Sequence, residues 1–128
     1  MYAYVDADDA HHESCLGLLD GHPGPLVVPQ LVIAEVTYFI GRRLGWEAEV
    51  RFLADVASGD FALEPVHAAD VMRIAELVAR YHELRLGTVD ASVVAAAERL
   101  GVEEIATTDK RHFGVVRPAH TAALRLLP

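Results

Sequence analysis

The sequence predicts an α/β protein in which a short parallel sheet is layered between helices, and three observations carry that expectation. Short apolar runs at Leu26 to Val28, Phe61 to Glu64 and Glu104 to Thr108 alternate with longer segments of helical periodicity. The filling is aliphatic rather than aromatic, with 52% hydrophobic but only 7% aromatic residues, which suits helices packed on a narrow sheet. At 128 residues the chain is of the size that buries one core, so residues 1–128 are expected to form a single domain.

Taken in order, Met1 to Val5 is short and apolar and runs into Asp6, Asp8 and Asp9, acids able to cap a helix from about His11 to Leu19. Gly21, Pro23, Gly24 and Pro25 make a turn before the strand at Leu26 to Val28, which Pro29 ends. Helices are expected over 30–44 and 46–58, the second amphipathic through Val50, Leu53 and Val56, and Gly59 closes this helical hairpin. Phe61 to Glu64 reads as a strand, and Pro65 leads to a helix over 68–82 on which Glu76 and Arg80 have the spacing of a surface ion pair. Ala91 to Leu100 forms a helix stopped by Gly101, followed by the strand Glu104 to Thr108, a single turn over Lys110 to Phe113, and a last strand over Ala123 to Leu127.

Composition excludes several classes of function. A net charge of -8 is wrong for a protein that grips nucleic acid through a broad basic surface, because such binding needs many Lys or Arg contacts to phosphate. It leaves open a metal site, where clustered carboxylates hold a cation that a phosphate can approach. Cys15 is the only cysteine, so no internal disulfide forms and the residue reads as a small buried helix position. No run reaches membrane-spanning length and the start lacks a signal-peptide layout, so no membrane partner and a cytoplasmic location are expected. The histidines at 11, 12, 22, 67, 82, 112 and 120 show no paired metal spacing, and there is no phosphate loop, nucleophile elbow or Cys-His pairing.

What remains is acid chemistry. Asp90 begins a helix and Asp109 ends a strand. A helix of about ten residues spans roughly 15 Å and a strand of about five roughly 16 Å, so an antiparallel pair brings both acids to one sheet edge. That carboxyl edge is where open parallel sheets bind ligands. Glu35 follows the strand at Leu26 to Val28 by a turn or two and has Leu31, Val32, Tyr38 and Phe39 as helical neighbours. An ionised carboxylate buried in such company is costly unless paired or metal-bound. Three close acids repel, and a hard cation such as Mg²⁺ or Mn²⁺ relieves them. Each acid also has a purely structural reading: Asp90 in the field of its helix N-terminus, Asp109 as a cap for the next turn, and Glu35 reaching out to solvent.

The motifs VVPQLVIAEVTYFI around Glu35, GTVDASVVAAAERLG around Asp90, IATTDKRHF around Asp109 and AYVDADDAHH near the start resemble PIN domains, specifically the VapC-type toxin ribonucleases of bacterial toxin-antitoxin systems. The resemblance covers essentially the whole chain. It implies a PIN-like three-layer α/β/α fold with an acidic pocket for Mg²⁺ or Mn²⁺, in which metal activates a water that attacks an RNA phosphodiester. By this likeness Glu35, Asp90 and Asp109 match metal-holding, catalytic acids, and Thr107 matches a hydroxyl residue that orients carboxylates or water. The family's first acid, which closes a central first strand, falls a few residues before Met1 when the chains are aligned on Ala3 to Asp6. The first strand is therefore expected to be truncated or missing and the chain incomplete at its N-terminus, which raises an alternative: a catalytically inactive PIN-like binding module. The resemblance also implies an RNA substrate, a homodimer and a cognate antitoxin protein, with the helices over 30–58 offering the antitoxin a groove. A phosphoacceptor signalling domain fits poorly, since the sole lysine, Lys110, directly follows Asp109.

Overall fold

The computed structural model describes residues 1–127; Pro128, the last residue of the expected single domain, lies outside the described residues. The chain folds as two compact units, Met1–Glu64 and Pro65–Pro128, each with its own parallel strand pair and apolar core.

The first unit runs α1 (Tyr2–Val5), α2 (His12–Gly21), β1 (Leu26–Pro29), α3 (Gln30–Arg43), α4 (Trp46–Ser58) and β2 (Phe61–Glu64). β1 and β2 pair in parallel, from Leu26 opposite Phe61 to Pro29 opposite Glu64. Parallel neighbours need a crossover, and the α3–α4 hairpin supplies it. The hairpin closes on Val36 and Ile40 from α3 against Ala48 and Phe52 from α4, residues four apart on each helix and therefore on one face. Gly59 ends α4 in the left-handed conformation, φ 98°, which glycine adopts without steric cost. Asp6, Asp8 and Asp9 do not cap α2 as expected, because two tight turns separate them from its first residue: Asp9 N–H donates to Asp6 O and His12 N–H to Asp9 O. Their side chains tie those turns instead, Asp6 accepting from Asp8 N–H and Asp9 from His11 N–H.

The second unit runs α5 (Ala68–Arg80), α6 (Thr88–Leu100), β3 (Glu104–Ala106), α7 (Lys110–Phe113) and β4 (Arg125–Leu127). β3 and β4 pair in parallel, Glu104 opposite Arg125. The core joins Ile74 and Leu77 of α5 to Ala91, Val94, Ala95 and Ala97 of α6, and to Leu86, Ile105, Phe113, Val116 and Leu124. The small alanines of α6 let α5 come close. Two ion pairs then lace the helices together: Arg99 Nε to Asp70 at 3.0 Å and Arg73 Nε to Glu98 at 2.8 Å. Glu76 pairs with Arg73 at 3.0 Å rather than with Arg80. Arg73, already anchored by Glu98, lies three residues from Glu76, whereas the Arg80 guanidinium sits 5.6 Å from the centre of the Tyr81 ring.

All strand pairing is parallel, and it is divided into two pairs; among the described residues no strand precedes Leu26. No helix among the described residues is long and apolar enough to cross a membrane.

Candidate metal centre

The candidate site lies in the second unit, where three short-range devices aim three side chains at one point. The first is the start of α6. Gly87 is its N-cap, so Asp90 falls in the first turn, third from the start, and the acid lies within the helix rather than ahead of it. The position suits a negative charge, since unpaired N–H groups and the helix dipole favour it there. Ala91 and Ser92 beside it are buried, and the Ser92 hydroxyl is satisfied by Val89 O at 2.6 Å.

The second device is the turn after β3. Thr107 N–H continues the ladder to Leu127 O, and the Thr107 hydroxyl oxygen accepts from Asp109 N–H at 3.0 Å. Thr107 thus sets the backbone that presents Asp109. Asp109 in turn is the N-cap of α7: its Oδ1 accepts from the N–H groups of Arg111 and His112, each at 3.0 Å. Only one carboxylate oxygen is engaged this way, which leaves Oδ2 to face the cluster.

The third device is α7 itself. Phe113 is buried in the core and fixes the turn, placing His112 three residues after Asp109 on the same side. His112 Nδ1 stands 2.8 Å from Asp109 Oδ2 and 3.1 Å from Asp90 Oδ2, and its Nε2 lies 3.2 Å from Leu84 O. A carbonyl only accepts, so Nε2 carries a proton and Nδ1 faces the acids. One ligand atom from each of Asp90, Asp109 and His112 lies within 4.8 Å of the other two, a grouping able to hold a metal ion.

Electrostatics pushes the two acids in opposite directions. Burial raises the Asp90 carboxyl above the usual aspartate range; His112 opposes this and the Asp109 charge adds to it. Burial also acts to raise Asp109, but the His112 backbone N–H, the His112 ring and the Arg111 N–H outweigh it and hold that carboxyl below the usual range. One acid is thus kept ionised by fixed donors, while its neighbour gains most from an added positive charge.

Of the residues singled out from sequence, Asp90 and Asp109 are brought together, and Thr107 stands behind Asp109. Glu35 belongs to the first unit, on α3, and is exposed there. The buried face of α3 is formed by Val36 and Ile40, so the burial cost expected for Glu35 does not arise. His112 completes the cluster, and the spacing of the histidines to one another does not mark it. Its signal was the Asp-x-x-His spacing from Asp109, one turn of helix that puts both side chains on one face.

A parallel-paired α/β chain with paired acids at the end of a strand and the start of a helix has the make-up of a domain that can hold a divalent cation. The PIN domain family model matches residues 1–117, and the chain belongs to the PIN domain family. It is 33% identical to ribonuclease VapC26 of Mycobacterium tuberculosis over 128 residues, all of this chain and 95% of that protein. It also resembles the crystal structure of Mycobacterium tuberculosis VapC20, a sarcin-ricin loop cleaving toxin, with a TM-score of 0.75 and 26% identity over 80% of this chain and 79% of that one.

Proposed function

We propose that this chain is a metal-dependent endoribonuclease, the toxin of a toxin-antitoxin pair, with Asp90 and Asp109 as acids that hold Mg²⁺ or Mn²⁺ and Glu35, on the first unit, as a further candidate acid. The observation that carries the proposal is the meeting of Asp90 and Asp109, distant in sequence, on a single imidazole at 3.1 and 2.8 Å, in a chain of PIN type. The donor set fits a divalent cation: carboxylate oxygens suit hard ions, and two close acids of which one is held ionised need positive charge between them. When bound, such an ion supplies Lewis-acid activation of water and of the phosphodiester.

The chain's own residues do the rest. Thr107 and the α7 N–H groups lock the Asp109 carboxylate in one orientation, so no reorganisation is needed when substrate arrives. Asp90, raised mainly by burial, loses its proton at a higher pH than an ordinary aspartate, which makes cation binding weaken in acid. Lys110 and Arg111 follow Asp109 directly and are exposed, and they offer the RNA backbone local positive charge on an otherwise acidic protein.

The same reading assigns the partners. Tyr38, Trp46, Val50 and Leu53 leave apolar surface exposed on α3 and α4, which supports a protein-protein face for a homodimer or an antitoxin segment. An antitoxin arginine reaching the acids would silence the site by pairing with the carboxylates the cation needs. A cytoplasmic location fits the proposed RNA substrate and antitoxin.

Purified protein is expected to cleave RNA with Mg²⁺ or Mn²⁺, and Asp90→Asn and Asp109→Asn are each expected to lower the rate at least about a hundredfold. Cleavage that survives both changes and EDTA sinks the proposal. An inactive binding module would instead show no cleavage with either ion.

A further inference from the structure

We propose that His112 is a nitrogen ligand of the divalent-cation site, making it a mixed oxygen and nitrogen centre that selects Mn²⁺ over Mg²⁺. The inference rests on the metal site proposed above and adds a donor of a different chemical kind. Three observations carry it.

The ring is held from behind. Nε2 donates to the Leu84 carbonyl at 3.2 Å, so the lone-pair position of a neutral ring is Nδ1, the atom that faces Asp90 and Asp109. Metal-binding histidines are oriented in this way, with the far ring nitrogen donating to a backbone carbonyl or carboxylate.

The front of the ring is out of line for hydrogen bonding. Nδ1 is buried and has no aligned hydrogen-bond partner, although carboxylate oxygens stand 2.8 and 3.1 Å away. A proton shared between ring and acid lies along the N···O line. Oxygens close to Nδ1 but beside the direction of its lone pair leave that direction open to a cation held by all three donors.

The spacing suits such a point. Adjacent ligands of an octahedral ion at about 2.0–2.1 Å lie about 2.8–3.0 Å apart, and the two nitrogen-to-oxygen separations here are 2.8 and 3.1 Å. An all-carboxylate site suits Mg²⁺ and Mn²⁺ alike. Replacing one oxygen donor by imidazole favours the first-row transition ion, since Mg²⁺ prefers oxygen and keeps its waters.

The experiment loads the full chain with Mn²⁺ and records electron spin echo modulation, with calorimetric titration of Mn²⁺ and Mg²⁺ alongside. A histidine nitrogen coupling on the bound Mn²⁺, and Mn²⁺ affinity at least about tenfold above that for Mg²⁺, are the expected results. His112→Ala is expected to remove the coupling and weaken Mn²⁺ binding about 10–100-fold while changing Mg²⁺ binding less. Should that variant fail to fold, the coupling in the unaltered protein, with and without ¹⁵N-labelled histidine, decides alone. Mn²⁺ that binds without nitrogen coupling, or does not bind, overturns the proposal. RNA cleavage with no nitrogen coupling would leave the nuclease reading standing and this one fallen. Nitrogen-coupled Mn²⁺ with no RNA cleavage would do the reverse.

Discussion

The first and second units place their apolar residues differently. In Met1–Glu64 the buried cluster is four residues, Val36, Ile40, Ala48 and Phe52, while Tyr38, Trp46, Val50, Leu53 and Leu63 stay exposed. In Pro65–Pro128 the buried cluster draws on α5, α6, α7, β3 and the segments between them, and ion pairs close the α5–α6 seam. A site whose donors must hold position to within a fraction of an ångström gains from the larger buried cluster, which locks rotamers from behind. Large aliphatic residues stay exposed on both units, Val71 and Met72 of the second among them, but the exposed aromatic ones among the described residues, Tyr38, Phe39 and Trp46, are on the first, as suits a unit whose work is contact with other molecules.

The sharpest way to break this contrast is to cut into the second core. Leu77 is fully buried, so Leu77→Ala is expected to cost about 2–5 kcal/mol in urea denaturation. A cost under about 1 kcal/mol would show that the larger buried cluster does not hold the second unit together.

A smaller effect comes from the seam. Arg99 hydrogen bonds lower Asp70, outweighing burial, and the Glu98 carboxyl, raised by burial, is brought below its usual range by Arg73 and the Ala119 N–H. Both acids are depressed in the folded state, so the unfolded chain binds their protons first. Their contribution to stability is full above the unfolded values, about 3.9 for Asp and 4.3 for Glu, and is lost as pH falls through the lower folded values. Melting temperature is therefore expected to drop from pH 5 toward pH 3, and Glu98→Gln to flatten that slope. An unchanged slope would remove the seam from the comparison.

The smallest effect is expected at the first unit's surface. Trp46 is 69% exposed, so Trp46→Ala is expected to change stability by less than about 0.5 kcal/mol, and a larger loss would reveal packing that exposure does not.

Legibility in the sequence follows the same division between local and long-range causes. α4 and β2 have the expected limits, because Gly45, Gly59 and Pro65 mark the breaks by their own backbone preferences. α7 also has its expected limits, α1 forms a helical turn where Met1 to Val5 carries no helix expectation, and the remaining helices and strands have the expected type with ends displaced by a few residues where fraying and capping decide. The start of α6 was missed by three residues, since Thr88 and Val89 carry no helix signal of their own and join through the Gly87 N-cap. Asp90 and Asp109 were legible as a pair from element lengths alone. The Asp-x-x-His spacing puts His112 beside Asp109, but the orientation of its ring was not legible, because it depends on Leu84, a carbonyl 28 residues earlier that no side-chain pattern marks.

That carbonyl belongs to the tight loop between α5 and α6, where Arg85 is the only non-glycine among the described residues with positive φ, 59°. The contact that orients the imidazole is thus made by main chain, and side chains in the loop can change without disturbing it. Loop length cannot: one residue inserted or removed between Tyr81 and Gly87 would carry the carbonyl out of reach. In relatives, the spacing of this loop, rather than the letters within it, is the trait expected to travel with the histidine.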